Sequence, residues 1–317
     1  MPTQHVVIGA GPVGRHVASL LVERGDRVVI GSRSGRNTGV AGANYISLDA
    51  SDPDALSRVT EGAEGLFNTA NPGAYPTWEK RWPPLAASLL MAAERTGAVY
   101  AMTGNLYPLG PVTAPMHEGM PDVAHDHKGV LRARMWADAL AAHNEGRIRA
   151  FEVRSSDWIG GGEGHISRVL DSALRGRPVR MIGRVDQPHS YTDVRDAARV
   201  LIAAFDDPDA YGRTWHVPSN PARTQTDVIN DLMDAAGRPR VPVRGMSPVL
   251  LRLLGIASPL LREVADLSYQ VMRPYQVDGL AARERFAIAP TPWDDALART
   301  LAAAAGTPHA ETAPSAH

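Results

Sequence analysis

Gln4-His5-Val6-Val7-Ile8-Gly9-Ala10-Gly11-Pro12-Val13-Gly14 decides how the rest of the chain is read. The apolar run Val6–Ile8 stops at a GxGxxG pattern and resumes as an apolar-periodic segment that ends near Arg24-Gly25. A strand that enters a helix through three such glycines has a physical use. Gly9 permits a tight turn, Gly11 lets backbone approach a pyrophosphate, and Gly14 lets helix and strand pack closely. The first turn of the helix then presents free N–H groups to the phosphates. Glycines also serve ordinary turns, but the strand before this pattern and the helix after it point to a dinucleotide site.

Working outward, Arg27–Ile30 reads as a second strand that ends at Ser32, Arg33 and, just beyond, Arg36. An acidic residue there would bind an adenosine ribose hydroxyl, whereas an arginine fork suits a ribose phosphate. This favours NADP over NAD, with a solvated basic turn as the alternative. A third strand at 44–48, a short crossover helix at 54–59, a fourth strand at 65–68, a helix at 78–96 and a fifth strand at 98–102 continue the alternation. Such alternation predicts an α/β protein with a Rossmann-type, doubly wound parallel sheet covered by helices on both faces.

After the fifth strand, a Pro/Gly-rich connection runs from Thr103-Gly104-Asn105-Leu106-Tyr107 to about Asp126, a length that suggests a substrate-side loop. His125 and His127 lie near carboxylates in it, but no further ligands stand at diagnostic spacing, so no metal site is expected. Lys128 opens an amphipathic helix whose stripe is Leu131, Met135, Ala139 and Leu140, leaving Arg132 and Arg134 as exposed charges. A strand at 148–153 ends in Arg154-Ser155-Ser156-Asp157-Trp158-Ile159-Gly160 and a glycine-rich loop. A helix near 166–174 and a strand near 178–182 follow. Asp193 is placed to cap a helix to Phe205, a strand follows at 214–217, and a helix at 225–236 has Thr224 or Thr226 near its cap. Residues 246–272 read as two Pro-interrupted apolar helices forming a pocket wall. Residues 1–160 are therefore assigned mainly to the dinucleotide-binding core, 161–303 mainly to a smaller, interleaved substrate lobe with returning core elements, and 304–317 to a disordered tail.

Composition narrows the function. The 317 residues carry 33 basic and 34 acidic side chains, so no net field draws the chain to nucleic acid or an anionic membrane. Cysteine is absent, which removes disulfides, thiolate metal sites and cysteine nucleophiles. The first residues show no targeting pattern and the longest apolar runs are interrupted, so a cytoplasmic protein without a membrane span is expected.

Taken together, GAGPVG at 9–14, Asp49, the 103–107 stretch, Lys128, RSSDWIG at 154–160, HSYTDVRDAARV at 189–200 and the late FAIAPTP at 286–292 resemble the extended short-chain dehydrogenases/reductases. The likeness is to NAD-dependent epimerase/dehydratase-like proteins and covers nearly the whole chain. The resemblance implies that Gly9, Gly11, Pro12, Val13 and Gly14 surround pyrophosphate. It puts Ser32 and Arg33 at the ribose phosphate, Asp49 and Ala50 at adenine, and Ala70 and Asn71 beside the cofactor as it crosses the sheet. Thr103 falls at the catalytic Ser/Thr position, Lys128 at the lysine that binds nicotinamide ribose, and Ser155 and Ser156 near the nicotinamide. A homodimer is the family default.

One position departs from the pattern. The family's YxxxK would put tyrosine four residues before Lys128, and Ala124 stands there. Alanine can neither transfer a proton nor stabilise an alkoxide. His125, His127, Lys128 itself or Tyr107 are the replacements considered. Trp158, His165 and Tyr191 suggest a partly hydrophobic substrate. The expected activity is NADP-dependent hydride transfer on a small carbonyl/alcohol or activated double bond. The alternatives are a non-catalytic NADP-binding regulator or redox sensor and, less favoured, a nucleotide-sugar epimerase/dehydratase.

Overall fold

Side chains that alternate between two apolar faces build the centre of the molecule. In β1 (Gln4–Ile8) Val7 faces one core while Val6 and Ile8 face another. The same division holds for Phe67 and Leu66 of β4 (Gly65–Asn68), and for Ala101 and Met102 of β5 (Val99–Asn105). Strands apolar on both faces need covering on both faces, which parallel crossovers supply. The structure, a computed structural model, describes residues 2–162, 164–247, 249, 256, 263 and 265–306. The expected tail from 307 onward and most of the expected apolar helices between 246 and 272 lie outside the described residues.

The remaining strands of the sheet are β2 (Arg27–Ser32), β3 (Asn44–Ser47), β6 (Ala150–Ser155) and β10 (Thr214–His216). All seven are parallel, in the order β10-β6-β5-β4-β1-β2-β3. This is the doubly wound order, with its reversal between β1 and β4, where ligands bind in such sheets. Helices α1 (Pro12–Glu23) and α6 (Val194–Phe205) cover one face; α2 (Pro53–Thr60), α3 (Trp78–Thr96) and α4 (His127–Asn144) cover the other. The expected parallel α/β sheet is the observed one.

A further core is drawn from α5 (Gly164–Leu174), α7 (Gln225–Ala235), the helix Trp293–Gly306 and β8 (Val179–Ile182). The expected strand near 178–182 is β8; it pairs in parallel with β11 (Val243–Met246), outside the main sheet. A third parallel pair joins β7 (Asp157–Ile159) to β9 (Tyr191–Asp193). Asp193 caps α6 by accepting from the Arg195 N–H, and Thr224 forms a capping box with Asp227 on α7, as the sequence suggests. The last helix runs to Gly306, past the expected start of the tail at 304.

Two local expectations are corrected. Arg132 is buried rather than exposed: its guanidinium lies 4.7 Å from the Trp82 ring centroid and donates to the Thr103 carbonyl at 2.6 Å. With Lys128, Trp136 and Ala142 also buried, the inward face of α4 is wider and more polar than the predicted stripe. Arg134 is exposed, as expected.

The long connection after β5 is pinned to the edge of the sheet by His216, which is fully buried. Its Nδ1 donates to the Met116 carbonyl at 3.1 Å, and its backbone N–H donates to Glu118 at 2.9 Å. Burial, helped by the nearby Arg154 charge, pushes the His216 imidazole down to about 4 from 6.5. Between those two values the unfolded chain binds a proton that the folded chain refuses, so stability falls as pH drops from 6.5 to 4. The loss from this residue is about 3 kcal/mol. Denaturant titrations across that range are expected to show the decline, and His216→Gln is expected to flatten part of it.

Candidate functional site

The turn from β1 into α1 separates three glycines by what each makes room for. Gly9 has a φ of +114°, and a Cβ on it would lie 2.6 Å from the Thr69 carbonyl oxygen. A Cβ on Gly14 would lie 2.0 Å from the Gly9 carbonyl oxygen. The protein's own packing therefore accounts for both. Gly11 is different: its φ is −75°, and no atom stands within 4 Å of where a Cβ would be. Its open side adjoins the start of α1, where no side chain caps the helix and no carboxylate occupies the first turn. The free N–H groups and the positive end of the helix are left unneutralised, an arrangement that fits a diphosphate. Pro12 occupies the first turn, where its missing N–H costs nothing, and Val13 is buried beneath it.

At the end of β2, Ser32 accepts from the Gly35 N–H through its hydroxyl, and Ser47 donates to the Arg33 carbonyl. These bonds fix the turn. The Arg33 and Arg36 guanidinium groups are exposed and form no salt bridge among the described residues. Asp49 is exposed at the end of β3, where its carboxylate accepts from the Ser51 N–H, and Ala50 is half-buried behind it. Ala70 and the exposed Asn71 follow β4, and Asn71 spends its carboxamide oxygen on the Gly73 N–H.

The C-terminal ends of β5 and β6 carry the other predicted residues. Thr103 Oγ1 and Ser155 Oγ are buried with no hydrogen-bond partner among the described residues, whereas Ser156 donates to the Ser190 carbonyl at 2.7 Å. Lys128 is fully buried; its Nζ donates to the Glu263 carbonyl at 3.1 Å and pairs with the Glu263 carboxylate. Against the cost of burial, Lys128 and His127 hold the Glu263 carboxyl below its usual range. His127 meets that same carboxylate at 2.8 Å, and His125 is exposed beside it. His125, His127, Asp266, Tyr269 and Arg273 line a cavity of about 670 Å³. His127, Glu263 and Asp266 bring ligand atoms within 4.8 Å of one another, a grouping that the spacing of the sequence does not reveal.

Tyr107 shares a 2.8 Å hydrogen bond with Tyr75, whose ring centroid lies 5.4 Å from Lys128 Nζ. Burial, and then the neighbouring Tyr75 and Asp157, push the Tyr107 phenol well above 10. That is a poor range for exchanging a proton at neutral pH. Trp158 packs against the core beside α1 and α6, whereas His165 and Tyr191 come together 5.9 Å apart. Sequence reasoning missed Glu263, Asp157, His189, Tyr75 and Tyr275, all of which border these groups. Asp157 and His189 lie inside stretches already singled out, RSSDWIG and HSYTDV; the other three carry no local signal.

Comparison with curated proteins finds no match. Among solved structures, MoeE5 in complex with UDP-glucose and NAD is 20% identical, with 95% of this chain and 98% of that chain covered at a TM-score of 0.75. UDP-glucose 4-epimerase from Thermotoga maritima with UDP-glucose is 17% identical over 95% and 98%, with a TM-score of 0.78. UDP-glucuronic acid 4-epimerase from Bacillus cereus, in complex with UDP-glucuronic acid and NAD, is 16% identical over 96% and 99%, with a TM-score of 0.76. These likenesses carry the fold. Residues 5–217, more than half of the chain, match the sequence model of the NAD dependent epimerase/dehydratase family, and the chain belongs to that family.

Proposed function

We propose that this protein is an NADP-dependent oxidoreductase that moves a hydride between nicotinamide and a small, partly hydrophobic carbonyl or alcohol, without the usual catalytic tyrosine. The observation that carries this reading is the unfilled space at Gly11 over an uncapped helix N-terminus, followed one strand away by Arg33 and Arg36, exposed and in no salt bridge among the described residues. The first suits a diphosphate and the second a further phosphate on the adenosine ribose. When bound, the dinucleotide supplies hydride chemistry. The residues of the chain bind and orient it: Gly9–Gly14 at the pyrophosphate, Ser32, Arg33 and Arg36 at the ribose phosphate, Asp49 and Ala50 at adenine, and Ala70 and Asn71 along the crossing. Lys128, Ser155 and Ser156 serve the nicotinamide end, and Thr103 offers its free hydroxyl to the substrate oxygen.

A nucleotide-sugar reading draws support from what the structural neighbours bind. Against it stands Ala124 in place of the tyrosine. Calorimetry with UDP-glucose tests it directly; binding at micromolar concentration would favour that reading over a small carbonyl substrate.

Fluorescence titrations with NADPH and NADH are expected to separate the phosphate contacts. Arg33→Ala should weaken NADPH by about 10- to 100-fold and NADH far less; equal losses would remove the proposed role. A second comparison uses the glycines. Gly11→Ala is expected to keep the melting temperature while weakening NADPH tenfold or more, roughly 1.4 kcal/mol. Gly14→Ala should lower the melting temperature itself, because its Cβ has no space in the folded chain.

A further inference from the structure

Beside the site, one carboxylate holds two histidines. Asp157 begins β7, two residues after Ser155, and its Oδ2 lies 3.3 Å from His165 Nδ1 and 2.9 Å from His189 Nε2. Against the cost of burial, the two imidazoles hold the Asp157 carboxyl well below the usual carboxylate range. The two histidines are not equivalent. His189 is almost wholly buried; its Nδ1 meets the Gln270 carbonyl at 3.2 Å, and its Nε2, close as it stands to Asp157, completes no hydrogen bond among the described residues. His165, at the start of α5, turns Nδ1 to Asp157; its Nε2 is buried without a partner among the described residues. The Tyr191 and Tyr275 hydroxyls around the pair are likewise buried and unpartnered. Tyr191 lies 5.9 Å from the His165 ring, and Tyr275 stacks on His189 at 5.1 Å.

This cluster adjoins the proposed hydride site. Asp157 follows Ser155 and Ser156 directly, and Ser156 donates to the carbonyl of Ser190, the neighbour of His189, at 2.7 Å. A carboxylate can only accept, so Asp157 favours the His165 tautomer that carries its proton on Nδ1 and turns Nε2 into an acceptor. Each replacement considered from the sequence has a handicap in the fold. His127 and Lys128 are tied to Glu263, Tyr107 is paired with Tyr75, and His125 is exposed.

We infer that His165 gives and takes the substrate proton in place of the hydroxyl absent at Ala124, with Asp157 as the positioning residue that fixes its Nδ1–H. The assignment rests on the oxidoreductase reading above. With an alcohol and the oxidised dinucleotide bound, His165 Nε2 would accept the alcohol's O–H proton as the dinucleotide took up the C–H hydride, leaving a carbonyl. The reductive direction returns both. This is the division of labour of a carboxylate-oriented imidazole base.

The full-length chain tests this in two ways. Long-range proton–nitrogen NMR correlation on histidine-labelled protein should show His165 as the Nδ1–H tautomer, and Asp157→Asn should abolish that preference; an Nε2–H tautomer in the parent chain overturns the assignment. With NADPH and benzaldehyde, cyclohexanone or phenanthrenequinone as probes, His165→Gln should slow turnover by about 10²- to 10⁴-fold, with NADPH affinity unchanged. His165→Asn serves if the glutamine variant misfolds. NADPH binding with turnover untouched by His165→Gln overturns the histidine assignment alone. Failure of the parent chain to bind NADPH overturns the oxidoreductase reading, and NADPH binding without reduction of any probe counts against both.

Discussion

No side chain fits between Gly14 and the carbonyl of Gly9, and much of the architecture follows from that contact. It seats the first turn of α1 against the end of β1 and beside Thr69, whose hydroxyl reaches the Ile8 and Gly9 carbonyls at 3.1 Å. The helix N-terminus is thereby fixed over the reversal point of the sheet. Gly11 is then the one glycine of the three that internal packing leaves unexplained. A binding site can be read from a residue whose smallness serves nothing inside the protein.

The opposite edge of the site is organised by buried charge. Arg154 on β6 pairs through Nε with Glu152 at 2.6 Å and reaches Asp122 on the long connection at 2.6 and 2.9 Å. Glu152 in turn needs Gly104, because a Cβ there would lie 2.3 Å from its Oε1. Arg132 closes the group by holding the Thr103 carbonyl. Buried ions of this kind contribute little net stability, since desolvation offsets most of the Coulomb gain. Their effect is positional: the ends of β5 and β6, the connection between them and α4 are locked in one arrangement, with Thr103 and Ser155 free to meet something else.

How legible this was depended on the range of each interaction. Strand and helix positions came from periodicity, which is local, and the parallel sheet covered on both faces follows from their alternation. Asp193 and Thr224 were readable as caps because the donors they satisfy lie within three residues. Arg132 was misread because a charge on an amphipathic helix looks solvated; Trp82, fifty residues earlier, supplies its ring. Glu263 sits 135 residues from the Lys128 it binds, inside a stretch whose apolar composition suggested only a wall. Ala124 was legible as an absence, but the chemistry that stands nearby is assembled from Asp157, His165 and His189 on separate elements. No spacing rule connects them.

The Met116–Val277 bridge has a temporal meaning. Met116 takes a hydrogen bond from Asp278 and gives one to Gln276, and Tyr275 packs with Leu106, Leu109 and Met116 in a small core of its own. The connection that leads into α4 is thus clasped by residues made about 160 positions later. During synthesis the N-terminal sheet can close its cores early, as domains commonly fold in the order they emerge. The loop carrying Asp122 and the approach to Lys128 must wait for the far end of the chain. A ribosome-bound nascent chain stopped after β10 would hold a folded sheet with an unfinished rim, so the scaffold and the pocket are born at different times.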